Sequence, residues 1–439
     1  MFETLTGAFK IKELRKKIFF TFLMLVVIRV GSQIPLPGVN GELFQDWFKS
    51  LANDSFGFLS AITGGSFEKM SIFALSITPY ITSSIIIQLL TIAIPALGEL
   101  QQDGEDGRKK LAALTRYTTV GLAVIESVAM TIGFSRSGYL TSDNFFVYAT
   151  IIIGLTAGSA VLMWIGEKIT EHGVGNGISV VLVINIISRV PSDIMSLKTK
   201  FVEGKNIGNA LFAIAVILAV ILVTVVLVIL LQDAQRIIPV QQSRKMAGQA
   251  SFASAASSSI PLKVNTSGVI PVIFAQSLMT TPVVIASLVG KSEGTGFWYD
   301  VLRGLSEHNW CKLSQPKYTW GLLLYIVLIV AFAYFYTQIT FNPLEVANNL
   351  KKSGGFIPGI RPGEPTSTYL ADVLKYIVFI GAVGLIIVSV IPIFFNGIFN
   401  ASVSFGGTSL IIIVGVIIET LNQIEAQMRT RNYKGFLKN

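Results

Sequence analysis

The sequence predicts an all-α polytopic membrane protein of ten transmembrane helices, arranged as two halves of opposite insertion. Three observations carry that prediction. Of 439 residues, 52% are hydrophobic and 13% charged, with a mean hydropathy of +0.65, so the charged share is about half that of a soluble domain. Ten apolar runs follow one another along the chain, all but one of about 18 residues or more, the length that crosses a bilayer. The basic residues gather in alternate loops between those runs.

The runs fall near 17–36, 70–94, 112–135, 145–166, 177–190, 209–231, 268–290, 319–341, 372–395 and 403–422. The first follows Lys10, Lys12, Arg15, Lys16 and Lys17. It is too long for the apolar core of a cleaved signal and has no small-residue cleavage site near 33–37, so it reads as a retained span. The second is preceded by a short Gly-bearing apolar piece, 56–67, and a polar collar of Glu68 and Lys69. It then carries Thr78-Pro79, Thr82, Ser83, Ser84 and Gln88. Two readings fit: a span with an interfacial helix before it, or a broken helix lining a polar cavity, where protein or water covers irregular backbone.

The third run holds Glu126, the lone mid-membrane carboxylate. An acid there is a candidate proton relay, but no second acid or histidine stands in a neighbouring span, which favours a structural role. Gly173-Val174-Gly175-Asn176-Gly177 joins runs four and five as a tight turn; no strand precedes it, as a dinucleotide loop requires. The fifth run is the shortest, bounded by Gly177 and by Arg189 and Pro191. Five runs precede the loop expected at Pro191 and five follow it, dividing the chain into halves 1–190 and 191–439. Related halves with odd span counts insert with opposite orientation, which places a pore on the pseudo-twofold axis.

Most of the 34 Lys and Arg residues lie on the N-terminal side of the membrane in this scheme, which puts both termini in the cytoplasm and accounts for the net charge of +9 without nucleic acid. Two cytoplasmic loops are long. Residues 232–267 are polar, with Arg236, Arg244 and Lys245; residues 342–371 hold Lys351, Lys352 and the run GGFIPGIRPGEPTS. Pro358, Gly359, Pro362, Gly363 and Pro365 are expected to forbid a helix there and to stiffen an exposed basic tip suited to docking a soluble partner.

No catalytic set emerges. The single Cys311 excludes an internal disulfide and a cysteine metal cluster, and His172 and His308 are far apart. Gly290-Lys291-Ser292 ends like a phosphate loop, but Ile285 stands where its first glycine is required. Neither cofactor, metal nor direct nucleotide binding is expected. A secondary transporter would need convergent polar ligands near Pro79 and Pro271, where isoleucines stand instead. A membrane-embedded hydrolase would need a Ser-Lys, Ser-His or Asp-Asp pair.

Seven stretches together resemble the SecY family of bacterial protein translocation channels, along essentially the whole chain. They are RVGSQIPLPG, SIFALSITPYITSSIIIQLL, DGRKKLAALTRY, MWIGEKITEHGVGNGIS, PLKVNTSGVIPVIFAQS, NPLEVANNLKKSGGFIPGIRPG and FGGTSLIIIVGV. The resemblance implies a central hourglass pore between clam-shell halves, in the bacterial plasma membrane. Carried over position by position, it implies a pore ring of Ile77, Ile81, Ile178, Leu182, Ile273 and Ile412. It implies a plug over about 57–67, including Gly57, Phe58, Leu59, Ile62, Gly64, Gly65 and Phe67. It implies a lateral gate between the second and seventh spans, where Thr82, Ser83, Gln88, Gln276, Ser277 and Thr280 are expected to hydrogen-bond the closed state. Docking of the ATPase SecA and the ribosome is expected at Arg361, Arg244, Lys245, Lys351 and Lys352, with SecE and SecG as further subunits and secretory precursors as cargo. Leu182 departs from the isoleucine common at its position, and Glu126 from an uncharged one.

Overall fold

The computed structural model describes residues 7–52, 62–201, 207–242, 258–288, 294, 296–312, 315–399 and 407–436. A helix occupies each of the ten expected places. They are α1 (Lys12–Gly31), α3 (Thr78–Ala93), α5 (Glu105–Arg136), α6 (Phe145–His172), α7 (Gly177–Phe201), α8 (Ile207–Asp233), α9 (Ile270–Leu288), α11 (Trp320–Thr340), α13 (Glu364–Phe399) and α14 (Gly407–Phe436). Between them lie α2 (Gly41–Ala52), α4 (Pro95–Gln102), α10 (Phe297–Leu305) and α12 (Pro343–Lys352). Seven of the ten long helices are sufficiently long and apolar to cross a bilayer, and α3 and α9 are shorter apolar helices. Phe145, Phe146, Leu211, Phe212 and Phe379 all point outward and exposed, which is tolerable only against lipid or a partner.

Local chemistry sets the helix ends. Glu105 and Asp106 lie in the first turn of α5 and Arg136 in its last, matching the helix dipole. Asn176 caps α7 by accepting from the amides of Ile178 and Ser179, and Asn342 caps α12 through Leu344 and Glu345. Amphipathic α2 buries Phe44 and Phe48 against Phe67, with Phe134 edge-on to Phe44.

Four expectations need correction. The second helix starts only at Thr78, because Pro79 fits the first helical turn and Met70 and Ser76 before it have positive φ; residues 64–77 are non-helical and largely buried. That favours broken backbone covered by protein over an ordinary span. The fifth helix runs through Pro191 to Phe201, so the division at 190 falls inside a helix and not in a loop. Pro365 lies in the first turn of α13, where the missing N–H costs nothing. Residues 232–267 carry strand structure at both ends.

That strand structure is a three-stranded antiparallel sheet, with β1 (Gln235–Gln242) between β2 (Ser258–Lys263) and β3 (Gly355–Phe356). The two long loops therefore meet. Ile238, Val240, Leu262 and Ile357 pack on Leu370, Val373 and Ile377 at the foot of α13.

Candidate functional site

One apolar cluster gathers all six ring positions. Ile77 ends the turn before α3 and Ile81 lies on α3. Ile178 and Leu182 stand on α7, Ile273 on α9 and Ile412 on α14. Ile77, Leu182, Ile273 and Ile412 are buried, while Ile81 and Ile178 are partly so. Residues 77 and 81, like 178 and 182, are four apart, and the helical repeat sets 178 and 182 on one face of α7. Ile28 of α1 and Leu162, Ile165 and Ile169 of α6 back the cluster. It joins the two halves of the chain, whereas the cores around Phe44 and around Tyr325 each lie within one half.

Residues 62–68 lie against this cluster. Ile62 belongs to it, whereas Phe67 turns into the core beside Phe44. Gly64 and Gly65 have φ of +62° and +79°, the left-handed region that glycine enters freely. Gly57, Phe58 and Leu59 lie outside the described residues. Along α7, Asn185 donates its amide to the Ile62 carbonyl at 3.1 Å and to Ser76 Oγ at 3.2 Å. Ser188 Oγ shares its proton between the Asn185 carbonyl of its own helix at 2.7 Å and the Gly64 carbonyl at 3.2 Å, and Arg189 Nη1 lies 3.0 Å from Glu68 Oε2. From α1, Arg29 Nη2 reaches the Gly64 carbonyl at 3.5 Å. Sequence reasoning named Glu68 and Arg189 only as the edges of apolar runs and overlooked Arg29, Asn185 and Ser188, although an asparagine inside VVLVINII was a signal in plain view.

Three of the expected gate residues, Thr82, Ser83 and Gln276, make side-chain hydrogen bonds to other partners. Ser83 donates to the Thr115 carbonyl of α5 at 2.9 Å and pairs with Thr118, and Thr82 donates to the Thr78 carbonyl one turn back. Buried Gln276 donates Nε2 to Glu307 Oε2 at 2.7 Å, a residue of the loop after α10. These bonds stay within each half instead of joining α3 to α9. Gln88, Ser277 and Thr280 are partly buried. The seventh-span helix α9 meets the first half along α5, the helix that carries Glu126. Burial pushes the Glu307 carboxyl up to about 7, against the opposing pull of the Gln276 bond.

Beside the three-stranded sheet, Lys351 and Lys352 at the end of α12 and Arg361 beyond β3 are exposed, and the Arg361 carbonyl is held by Thr366 Oγ1 at 2.8 Å. Arg244 and Lys245 lie outside the described residues. Among the described residues, no group of three His, Cys, Asp or Glu could hold a metal ion.

A mostly helical fold with seven helices long and apolar enough to cross a bilayer, and one aliphatic cluster drawn from both ends of the chain, defines a polytopic membrane protein. The chain belongs to the SecY family, whose model matches residues 71–421. It is 41% identical over 453 residues to the protein translocase subunit SecY of Streptomyces scabiei, and 41% identical over 449 residues to that of Bacillus subtilis. Both alignments cover 100% of each chain. Among solved structures it resembles a protein-conducting channel with a TM-score of 0.65 at 17% identity, covering 94% of this chain and 92% of that one. It also resembles Sec61 in a canine ribosome-channel complex, with a TM-score of 0.62, 17% identity and coverage of 94% and 92%. At that identity the two structures speak for the fold alone.

Proposed function

We propose that this chain is the protein-conducting channel of a Sec translocon, moving unfolded, signal-bearing polypeptides across the membrane and releasing apolar segments sideways into lipid. The observation that carries the proposal is the convergence of Ile77, Ile81, Ile178, Leu182, Ile273 and Ile412 in one cluster between the halves. An extended chain in hydrocarbon would strand N–H and C=O groups at a few kcal/mol each, so a wet path is required. That path must hold ions back at rest. A ring of aliphatic side chains does so by excluding water, and it deforms around whatever side chain passes.

In this reading ten spans form two inverted halves, one ending with α7 and the other starting with α8, with an hourglass pore between them, and both termini lie in the cytoplasm of a bacterium. Residues 57–67 plug the pore, and the gate lies where α9 faces the first half. The chain is a conduit without a reaction of its own, and energy comes from partners: SecA or the ribosome on the basic tip around Arg361, with SecE and SecG beside the channel. The test is photocrosslinking of a stalled secretory precursor to probes at Ile81 and Ile273. Adducts at both positions are expected; a transporter or hydrolase would yield none.

A further inference from the structure

We propose that Asn185, Ser188 and the Glu68–Arg189 ion pair form a latch on residues 62–68 that sets how apolar a signal segment must be to open the channel. The inference rests on the function proposed above. Asn185 lies in an otherwise apolar run of α7, three residues beyond Leu182 of the ring. It is 2% exposed, and an amide is tolerated in such a place only when hydrogen-bonded. Its bonds go to Ile62 and Ser76, more than a hundred residues away in the chain. Ser76 is itself fully buried at φ +53°, with its hydroxyl turned to the same Ile62 carbonyl at 3.4 Å.

Residues 185, 188 and 189 are spaced as i, i+3 and i+4, so they present one face of α7. That face grips three successive points, the carbonyls of Ile62 and Gly64 and the carboxylate of Glu68. The fit is close: a Cβ on Gly64 would stand 2.8 Å from Asn185 Cα. Aliphatic contacts of the ring are non-directional and re-form as side chains slide, whereas hydrogen bonds break within a fraction of their length. The directional part of the closed state therefore lies in the latch. A segment that displaces residues 62–68 must offset these bonds with its own apolar burial. Weakening them lowers the apolarity required.

The experiment uses membrane vesicles carrying the full chain with its partner subunits. Export is measured for one precursor with an intact signal and for the same precursor with polar residues set into its signal. The readout is the ratio of crippled to intact export. Asn185→Leu should raise that ratio about tenfold, the effect of one to two lost net hydrogen bonds. Glu68→Arg and Arg189→Glu should each raise it severalfold. The double reversal Glu68→Arg with Arg189→Glu should bring it back, because the pair is remade with opposite polarity. That rescue distinguishes a latch from mere packing, and the reversal series decides the matter alone if Asn185→Leu does not fold. Failure of the starting protein to export the intact precursor would overturn the channel reading. Normal intact export with a ratio unmoved by the variants, or unrescued by the double reversal, would overturn the latch.

Discussion

A small ion crossing a narrow waist needs water or ligands in its place, and an isoleucine side chain supplies neither. Replacing Ile81 or Ile273 with asparagine sets an amide into the apolar cluster that joins the halves, where it recruits water. Resting conductance of planar bilayers holding either variant should rise, and precursors with poor signals should be exported better; unchanged conductance would remove these residues from the seal. Glu307 gives a pH dependence of known sign. Burial pushes its native carboxyl up to about 7 from an ordinary value of 4.5, so between those values the native state holds a proton that the unfolded chain has released. Stability should fall as pH rises through that window and level off above it. Thermal unfolding followed between about pH 4.5 and 8 should show this slope, and Glu307→Gln should flatten it.

At the level of elements, the basic tip shows why a loop can dock rather than drift. Ile357 is buried in the small core under the sheet, Ile360 donates its amide to the Ile357 carbonyl, and Thr366 holds the Arg361 carbonyl, so the exposed guanidinium stands on a fixed base. Arg361→Glu should cut ATPase-driven export by tenfold or more while leaving thermal unfolding within about 0.5 kcal/mol, as for an exposed substitution. Export at the starting rate in vesicles would take Arg361 out of the docking surface. The stiff tip was legible from its prolines and glycines, but the sheet beneath it was not, because β1 and β3 pair across more than a hundred residues. The places of the long helices were legible from hydropathy, but the start of α3 and the end of α7 were not. The exit of α7 was misread, because Pro191 reads as a helix stop in sequence and the helix continues through it to Phe201. The ring came from family resemblance, since lipid-facing and pore-facing isoleucines look alike in sequence. The bonds of Asn185 and Gln276 are set by tertiary neighbours that no local pattern announces.

The whole molecule is an arrangement of helices relative to a membrane, and the lone thiol allows that arrangement to be measured. In the ten-span scheme α11 separates Cys311, outside, from Lys351, in the cytoplasm. Cys311 follows the fully buried Trp310, is itself partly covered, and burial pushes its thiol up. Little thiolate therefore exists at neutral pH, and reaction should be slow but should quicken as pH rises. A membrane-impermeant maleimide added to right-side-out vesicles should modify Cys311, and inside-out vesicles should protect it until they are permeabilised. Lys351→Cys in a Cys311→Ser background should give the reverse and react faster, because Lys351 is exposed at the C-terminal end of α12. Labelling of both thiols from one face would mean that α11 does not cross. The second half would then hold an even number of spans, and the inverted pairing that puts Ile273 and Ile412 opposite Ile77 and Leu182 would lose its geometric basis.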